Sequence, residues 1–148
     1  MQIEIDSLEQ TKALAEKIAK YVQTGDVIEL NGDLGTGKTT FARYFINSLL
    51  ENEEDILSPT FNIVHPYNTK NFTIWHFDLY RIEDINEVEE IGIYDAFDEG
   101  VCLIEWSQII SSIVPENRLL LNLVEKSGRR SVTIEGFGNW REKMHNII

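Results

Sequence analysis

The chain has 148 residues, which suffices for one domain with a sizeable hydrophobic core and is too short for two. Hydrophobic residues make up 43% of the sequence and charged residues 26%, as in typical globular proteins, and no apolar run approaches the roughly 18 residues of a transmembrane helix. With 13 basic and 25 acidic residues the formal net charge is -12, which argues against tight, direct binding of RNA or DNA by this chain alone.

The first predicted element is a helix over residues 8–22. Ser7 and Gln10 match the capping box, in which two side chains satisfy each other's backbone N–H groups at the start of a helix. The apolar stripe of this helix would consist of Leu14, Ala15, Ile18, Ala19 and Val22. Residues 1–6 lack the basic and apolar regions of a secretory signal and do not resemble a transit peptide, so we expect a cytoplasmic location.

A phosphate-binding pattern follows a short apolar strand that is predicted over residues 27–30. Residues 32–39 read Gly-Asp-Leu-Gly-Thr-Gly-Lys-Thr and fit the pattern G-x-x-x-x-G-K-S/T. Glycines at these positions permit positive φ angles, so that successive backbone N–H groups can surround an anion. Lys38 would reach the β- and γ-phosphates of a nucleotide, and the Thr39 hydroxyl would bind Mg²⁺. The helix that should follow such a loop is predicted over residues 40–50.

Two features are predicted beyond the acidic loop of residues 51–55. Residues 58–60, Ser-Pro-Thr, stand where nucleotide switches often place a hydroxyl near the γ-phosphate, and an ordinary proline turn explains Thr60 equally well. Residues 61–67 and 72–77 are rich in aromatic and β-branched side chains, which predicts two paired strands joined by a short polar turn.

Short acidic helices are predicted over residues 84–90 and 93–97, before an aliphatic strand over residues 101–104. Cys102, the only cysteine, lies in this strand, so an internal disulfide is excluded. Its apolar neighbours favour a buried small side chain over a catalytic thiol. The three histidines show no metal-ligand spacing, and we predict no zinc site.

The last part of the chain predicts a second hairpin, formed by residues 119–124 and 132–134 around the basic turn 126–130, and a terminal helix over residues 140–148. Helices that alternate with strands, together with two hairpins, predict an α/β fold with three layers, a central mixed sheet and antiparallel edge hairpins. No repeat or linker interrupts it, so we expect residues 1–148 to form a single domain. Ligands of such sheets bind beyond the carboxyl ends of the strands.

Two of the predicted strands end in a carboxylate, a group that nucleotide hydrolysis requires beside the phosphates. The strand before Glu105 is purely aliphatic, as expected of a central strand, so Glu105 is the preferred metal ligand. Asp78 is then the candidate for orienting the attacking water. For each, the alternative is a surface acid at a strand end. The role of Arg81 is open between neutralising phosphate charge and pairing with Glu83 or Asp84.

Five segments together resemble the TsaE family, formerly called YjeE. They are residues 32–40, Ser58-Pro59-Thr60-Phe61, His76-Phe77-Asp78-Leu79-Tyr80-Arg81, Glu90-Ile91-Gly92 and Leu103-Ile104-Glu105-Trp106. These segments run in the order and spacing of the family over about residues 7–135, and the His-Phe-Asp-Leu-Tyr-Arg segment is the most specific of them. The resemblance implies a small P-loop ATPase that depends on Mg²⁺ and acts in tRNA threonylcarbamoyladenosine biosynthesis.

The resemblance also implies partners. TsaD and TsaB would install threonylcarbamoyl on the adenosine next to the anticodon, and the ATP cycle of this chain would support their repeated turnover. The chain would contact tRNA only indirectly, through that complex, which agrees with its net charge of -12. We expect slow ATP hydrolysis by the chain alone, stimulation by the partners, and no contact with a membrane.

Residue roles follow from the resemblance by matching motifs. The triphosphate would be bound by Gly35, Thr36, Gly37, Lys38, Thr39 and Thr40. Mg²⁺ would be held by Thr39 and Glu105, while Asp78 and Thr60 would lie at the γ-phosphate end with Lys38. The adenine pocket of the family lies near its first helix and its late basic hairpin, here Leu8, Thr11 and Arg130. Tyr80, Arg81 and Trp106 would line the same face and the partner contact.

One position departs from the family pattern. Thr36 stands where alanine is frequent, and a side chain there should be tolerated if it points away from the phosphates.

Three other functions fit a phosphate loop. A small-molecule kinase usually has an arginine-rich lid, but Arg129-Arg130 is the only adjacent arginine pair here. A GTP-dependent switch would carry an Asn-Lys-x-Asp segment, which this sequence lacks. A regulatory module that senses nucleotide without hydrolysing it is the third possibility.

Overall fold

The computed structural model describes residues 1–33 and 35–147. Leu34 of the predicted phosphate loop and Ile148 of the predicted terminal helix therefore lie outside the described residues. The strands are β1 (Gln2–Glu4), β2 (Val27–Gly32), β3 (Val64–Asn68), β4 (Thr73–Asp78), β5 (Gly100–Glu105), β6 (Arg118–Lys126) and β7 (Arg129–Phe137). The α-helices are α1 (Leu8–Ala19), α2 (Lys38–Leu49), α3 (Ile85–Glu90), α4 (Ile93–Glu99) and α5 (Trp140–Ile147), and a 3₁₀ turn covers Ser107–Ile110.

These strands form one seven-stranded sheet in the order β1-β7-β6-β2-β5-β4-β3. The four central strands β6, β2, β5 and β4 run parallel, while β3, β7 and β1 pair antiparallel at the two edges. The predicted mixed sheet with antiparallel edge hairpins is therefore confirmed. The outermost strand β1 was not predicted, because a segment of three residues is too short to show the alternation that identifies a strand.

Both faces of the sheet are covered, which confirms the predicted three layers. On one face α1, α2 and α5 pack around Phe41, Phe45 and Trp140. On the other face α3, α4 and the 3₁₀ turn pack around Phe97 and Ile110. The central strands β2 and β5 are buried along almost their whole length, as parallel strands between two helical layers must be.

The predicted helices are present with shifted ends. Ser7 and Gln10 form the predicted capping box, but α1 ends at Ala19 instead of residue 22. The reason is a tightened last turn, in which the N–H groups of Lys20 and Tyr21 donate to carbonyls three residues back. Helix α2 begins at Lys38, inside the phosphate-loop pattern. No helix within the two described ranges has the length and apolar character that crossing a bilayer requires.

The first predicted hairpin begins three residues later than the prediction. The Ile63 N–H donates to the Pro59 carbonyl at 2.6 Å, and Ile63 has a left-handed φ of 70°. This turn occupies residues 59–63 and delays β3 to Val64. The second hairpin is longer than predicted. Its tip is a two-residue turn at Ser127 and Gly128, both with positive φ, as the tightest hairpins require.

Cys102 is buried in β5, which confirms its interpretation as a small hydrophobic side chain. Desolvation raises the pKa of the thiol far above its ordinary value, so the nucleophilic thiolate is suppressed.

Glu29 is a buried carboxylate in the central strand β2, 3.5 Å from the Arg118 guanidinium. Desolvation raises the pKa of Glu29, and the Ser107 hydrogen bond and the charge of Arg118 only partly oppose this effect. The folded chain therefore holds this proton to higher pH than the unfolded chain. The stabilisation that the protonated Glu29 gives the folded chain should therefore be lost as pH rises above 4.5, the ordinary pKa of glutamate.

We expect the variant Glu29→Gln to lack this dependence. The difference in unfolding free energy between the two proteins should depend on pH. Because only one proton is involved, the slope should be at most about 1.4 kcal/mol per pH unit. Urea denaturation at a series of pH values measures it. Curves that run parallel for the two proteins would show that Glu29 does not titrate differently on folding.

Candidate functional site

The predicted site residues meet at one edge of the sheet. Strands β2, β5 and β4 are parallel neighbours, so their carboxyl ends lie side by side. Strand β2 ends at Gly32, β5 at Glu105 and β4 at Asp78, and the two acidic residues are register partners. This edge is where α/β sheets bind their ligands.

The phosphate-loop segment fits an anion. Gly35 and Gly37 have left-handed φ angles of 81° and 103°, which glycine adopts without strain. Gly37 is the N-cap of α2 and no side chain of the described residues caps the helix, so its first N–H groups remain available to an anion. A Cβ at Gly35 would meet no atom within 4 Å among the residues that the structure describes, so the backbone angle of Gly35, and not crowding, favours glycine there.

Thr36 is buried beside the loop, and its hydroxyl donates to the Asp33 carbonyl at 2.8 Å. The side chain is thus turned into the loop itself. This contact gives the buried Thr36 hydroxyl a hydrogen-bond partner inside the loop.

Lys38 is buried at the first position of α2. Its ammonium donates to the carbonyls of Gly32 and Asp33 and lies 4.2 Å from the centroid of the Trp106 ring. Desolvation lowers the pKa of Lys38, and the nearby carboxylates, Glu105 first among them, counteract this effect. A cation held this way is available to an anion that replaces the carbonyl contacts.

Asp78 is held by three donors. Its Oδ2 accepts from the hydroxyls of Ser58 at 2.9 Å and Thr60 at 3.1 Å, and its Oδ1 accepts from the Tyr80 N–H at 3.0 Å. The turn at residues 59–63 brings these hydroxyls to the strand end. The segment is thus a proline turn that also places the Thr60 hydroxyl beside Asp78, and the role of this hydroxyl near a γ-phosphate stays a prediction.

Glu105 is buried and lines the same cavity as Lys38. One of its carboxylate oxygens lies 2.7 Å from Nε2 of His76, a fully buried residue of β4. His76 was missed as a site residue by the sequence analysis. The available signal was its position two residues before Asp78, which places both side chains on the same face of the strand.

Trp106 follows Glu105 with a left-handed φ of 58°, a conformation that costs about 1–3 kcal/mol for a bulky residue. Its ring packs at 4.9 Å from that of Tyr80. The next residue, Ser107, donates its N–H to the buried Asn31 side chain at 3.2 Å. Asn31 therefore anchors the segment that turns Trp106 toward Lys38, a role that the sequence did not reveal.

Two of the cavities that border the loop adjoin each other. The larger, about 380 Å³, is lined by Gly35, Gly37, Lys38, Thr39, Thr40, Ser58, Thr60, Asp78, Tyr80, Glu105, Trp106 and Arg130. The smaller, about 110 Å³, is lined by Ile5, Asp6, Ser7, Leu8, Thr11, Thr36, Gly37, Thr40 and Arg130. Gly37, Thr40 and Arg130 border both, so the structure brings Leu8 and Thr11 next to the phosphate loop.

Arg130 sits between the two cavities because Asp6 holds its hairpin. The Asp6 carboxylate accepts from the Arg130 backbone N–H at 2.8 Å and from the Arg129 side chain at 3.2 Å. The Arg130 guanidinium then reaches the Gly35 carbonyl at 3.5 Å. The N-terminal segment and the second hairpin thus form one wall of the site.

Within the described part of the chain, Arg81 forms no ion pair with Glu83 or Asp84, the acids considered from sequence. Its guanidinium carbon lies 4.6 Å from the centroid of the exposed Phe61 ring. Its neighbour Tyr80 lines the larger cavity, whereas Arg81 is not among the described residues that line it.

The donor set fits a triphosphate with a hard cation. The helix N-terminus, the loop glycines and Lys38 supply positive partial and full charge for phosphate oxygens. Glu105, Asp78 and the Thr39 hydroxyl offer the oxygen ligands that Mg²⁺ prefers, and Mg²⁺ commonly uses one or two carboxylates together with phosphates and water.

The chain is similar in sequence and in structure to known proteins. The family model described as "Threonylcarbamoyl adenosine biosynthesis protein TsaE" matches residues 5–132. A tRNA threonylcarbamoyladenosine biosynthesis protein TsaE of Bacillus subtilis is 39% identical over 139 residues, covering 92% of this chain and 85% of the relative. The protein of the same name from Rickettsia felis is 37% identical over 140 residues, covering 86% and 82%. The crystal structure of Bacillus subtilis YdiB matches with a TM-score of 0.82 at 30% identity, covering 99% of this chain and 93% of that chain.

Proposed function

The chain belongs to the TsaE family of tRNA threonylcarbamoyladenosine biosynthesis, and from this premise we propose that it binds and hydrolyses ATP with Mg²⁺ to support repeated turnover of a TsaD/TsaB complex. The observation that carries the proposal is the larger cavity. Within it a buried lysine, an uncapped helix N-terminus and two strand-end carboxylates converge.

Each of these groups has a role in the proposed reaction. Lys38 and the N–H groups of the loop would bind the β- and γ-phosphates, and Thr39 and Glu105 would hold Mg²⁺, which neutralises charge on the phosphates. Asp78 would orient the attacking water, because its carboxylate stands at the cavity beside Thr60. The Thr60 hydroxyl would sense the γ-phosphate from the same turn.

Arg130 and its neighbours would form the nucleoside side of the site. The smaller cavity adjoins the phosphate loop and includes the exposed Leu8 together with Thr11, which offers an apolar surface and a hydroxyl to a base. Arg130 borders both cavities, so its guanidinium would contact the nucleotide between the base and the phosphates.

The variant Arg130→Ala should weaken ATP binding about tenfold, because it removes one charge-assisted contact worth about 1.5 kcal/mol. Arg141→Ala is the matched control, since Arg141 is an exposed arginine on α5 that lines neither cavity. Titration calorimetry with ATP measures both. Equal affinities of the two variants would remove Arg130 from the nucleotide site.

Partners and location complete the proposal. Because the chain is acidic, it would contact tRNA through TsaD and TsaB and not through its own surface. It would act in the cytoplasm together with these partners. Pull-down of the chain with TsaD and TsaB in the presence of ATP, ADP or no nucleotide tests the assembly. We expect TsaD and TsaB to capture the chain to an extent that depends on the nucleotide. Absence of capture under all three conditions would contradict the proposed role.

Measurement of phosphate release separates the ATPase from the alternative, a small-molecule kinase. The chain should release inorganic phosphate from ATP slowly without any acceptor, and TsaD with TsaB should accelerate this release. Product formation only when an acceptor molecule is added would favour the kinase.

A further inference from the structure

His76 is a buried polar residue whose surroundings give it a single strong partner. It lies in β4 between Trp75 and Phe77, and its exposed fraction is 0%. Its Nε2 lies 2.7 Å from Oε2 of Glu105, while its Nδ1 is buried and has no hydrogen-bond partner among the described residues. Because a carboxylate only accepts hydrogen bonds, Nε2 carries the hydrogen and donates it.

This bond restrains a flexible side chain at a critical place. Glu105 is the last residue of β5, and ordering a glutamate side chain costs conformational entropy. A short, charge-assisted bond inside the protein offsets that cost before any ligand arrives. It occupies one carboxylate oxygen and leaves the other for a ligand in the larger cavity, which Glu105 lines.

The same bond keeps Glu105 apart from Lys38. Glu105 is the carboxylate that acts most strongly on the charge of Lys38, so mutual attraction favours their direct contact. Among the described residues, however, the Lys38 ammonium donates to the carbonyls of Gly32 and Asp33 and forms no ion pair. With Glu105 held by His76, the cation and the carboxylate stay available to different parts of a ligand.

We propose that His76 is a positioning residue, which holds the Glu105 carboxylate in the orientation that receives the metal of a bound nucleotide. The proposal rests on the proposed function, since Glu105 is its metal ligand. Hydrogen-bonding partners of metal ligands typically change metal affinity by 10–100-fold when they are replaced.

Two substitutions separate the hydrogen bond from packing. His76→Gln keeps an N–H donor at about the position of Nε2, whereas His76→Leu fills similar space without any donor. Ile74→Val is the control, because Ile74 is equally buried, two residues away on the same face of β4, and is not part of the site. Binding of Mn²⁺ to the protein with ADP, measured by electron paramagnetic resonance, reports on the metal site without turnover.

We expect His76→Leu to weaken Mn²⁺ binding about tenfold or more and to leave metal-free ADP binding unchanged. His76→Gln and Ile74→Val should bind Mn²⁺ close to the wild-type affinity. The proposal is overturned if His76→Leu binds Mn²⁺ as the wild type does, if His76→Gln is as weak as His76→Leu, or if metal-free ADP binding falls in parallel.

A comparison of His76→Gln with His76→Asn decides the matter if His76→Leu does not fold. The shorter asparagine amide matches Nδ1 and does not reach Glu105, so only His76→Gln should retain Mn²⁺ binding, and equal affinities overturn the proposal. Failure of the proposed function is distinguishable, because the wild-type protein with ADP would then bind no Mn²⁺ at all.

Discussion

Replacing Lys38 by alanine should weaken ATP binding about 100-fold, which corresponds to about 2.7 kcal/mol. The ammonium is buried at the start of α2 and its present partners are two carbonyl oxygens. A phosphate oxygen is a stronger acceptor than a carbonyl because it is charged, so binding should transfer the ammonium to the nucleotide. Titration calorimetry with ATP and ADP measures the loss, which should be larger for ATP because Lys38 reaches the terminal phosphates.

The chain offers a closely matched control for this substitution. Lys143 is also largely buried, lies 4.7 Å from the centroid of a tryptophan ring, Trp140, and pairs with the Asp26 carboxylate at 3.3 Å. Lys143 thus shares the burial and the tryptophan contact of Lys38 and lines neither cavity. Lys143→Ala should lower the melting temperature and leave ATP affinity unchanged. Unchanged affinity in Lys38→Ala would contradict the assignment of the loop.

Replacing Glu105 by glutamine should reduce the rate of Mg²⁺-dependent ATP hydrolysis about 100-fold and have little effect on metal-free nucleotide binding. The glutamine keeps an oxygen that can accept the hydrogen bond of His76, so the site should remain packed. What it loses is the negative charge that holds the metal beside the phosphates. Steady-state release of phosphate over a range of Mg²⁺ concentrations measures the effect.

Glu29→Gln is the control for this second substitution, because it makes the same chemical change at a buried position of the neighbouring strand β2. It should hydrolyse ATP at the wild-type rate. If Glu105→Gln also kept full activity, the metal would have to be held by another acid, and Asp78 is the other carboxylate among the described residues that line the cavity.

The phosphate loop and the two strand-end acids could be predicted because their signals are local. The pattern from Gly32 to Thr39 by itself predicts a phosphate-binding loop. Asp78 and Glu105 each follow an apolar strand, and parallel strands place their carboxyl ends together. The order of helices and strands along the chain also predicted the three layers correctly. A strand that is buried on both faces of a sheet has a continuous apolar sequence, which marks it as a central strand.

The remaining features depend on contacts between distant segments. The pair His76 and Glu105 requires the register of β4 against β5, which no short segment reveals. Asp6 meets the Arg130 hairpin only because β1 pairs with β7 at the sheet edge, and β1 has no pattern of its own. The left-handed backbone of Trp106 is set by the surrounding structure and not by the preference of tryptophan.

A crystal structure of the chain with Mg²⁺ and a non-hydrolysable ATP analogue tests the nucleotide site most directly. We predict that the phosphates lie at the N-terminus of α2, with the Lys38 ammonium moved from the carbonyls of Gly32 and Asp33 to the terminal phosphates. Mg²⁺ should lie about 2.1 Å from the Thr39 hydroxyl and on the side of Glu105. An analogue bound elsewhere, with Lys38 still on those carbonyls, would contradict the account.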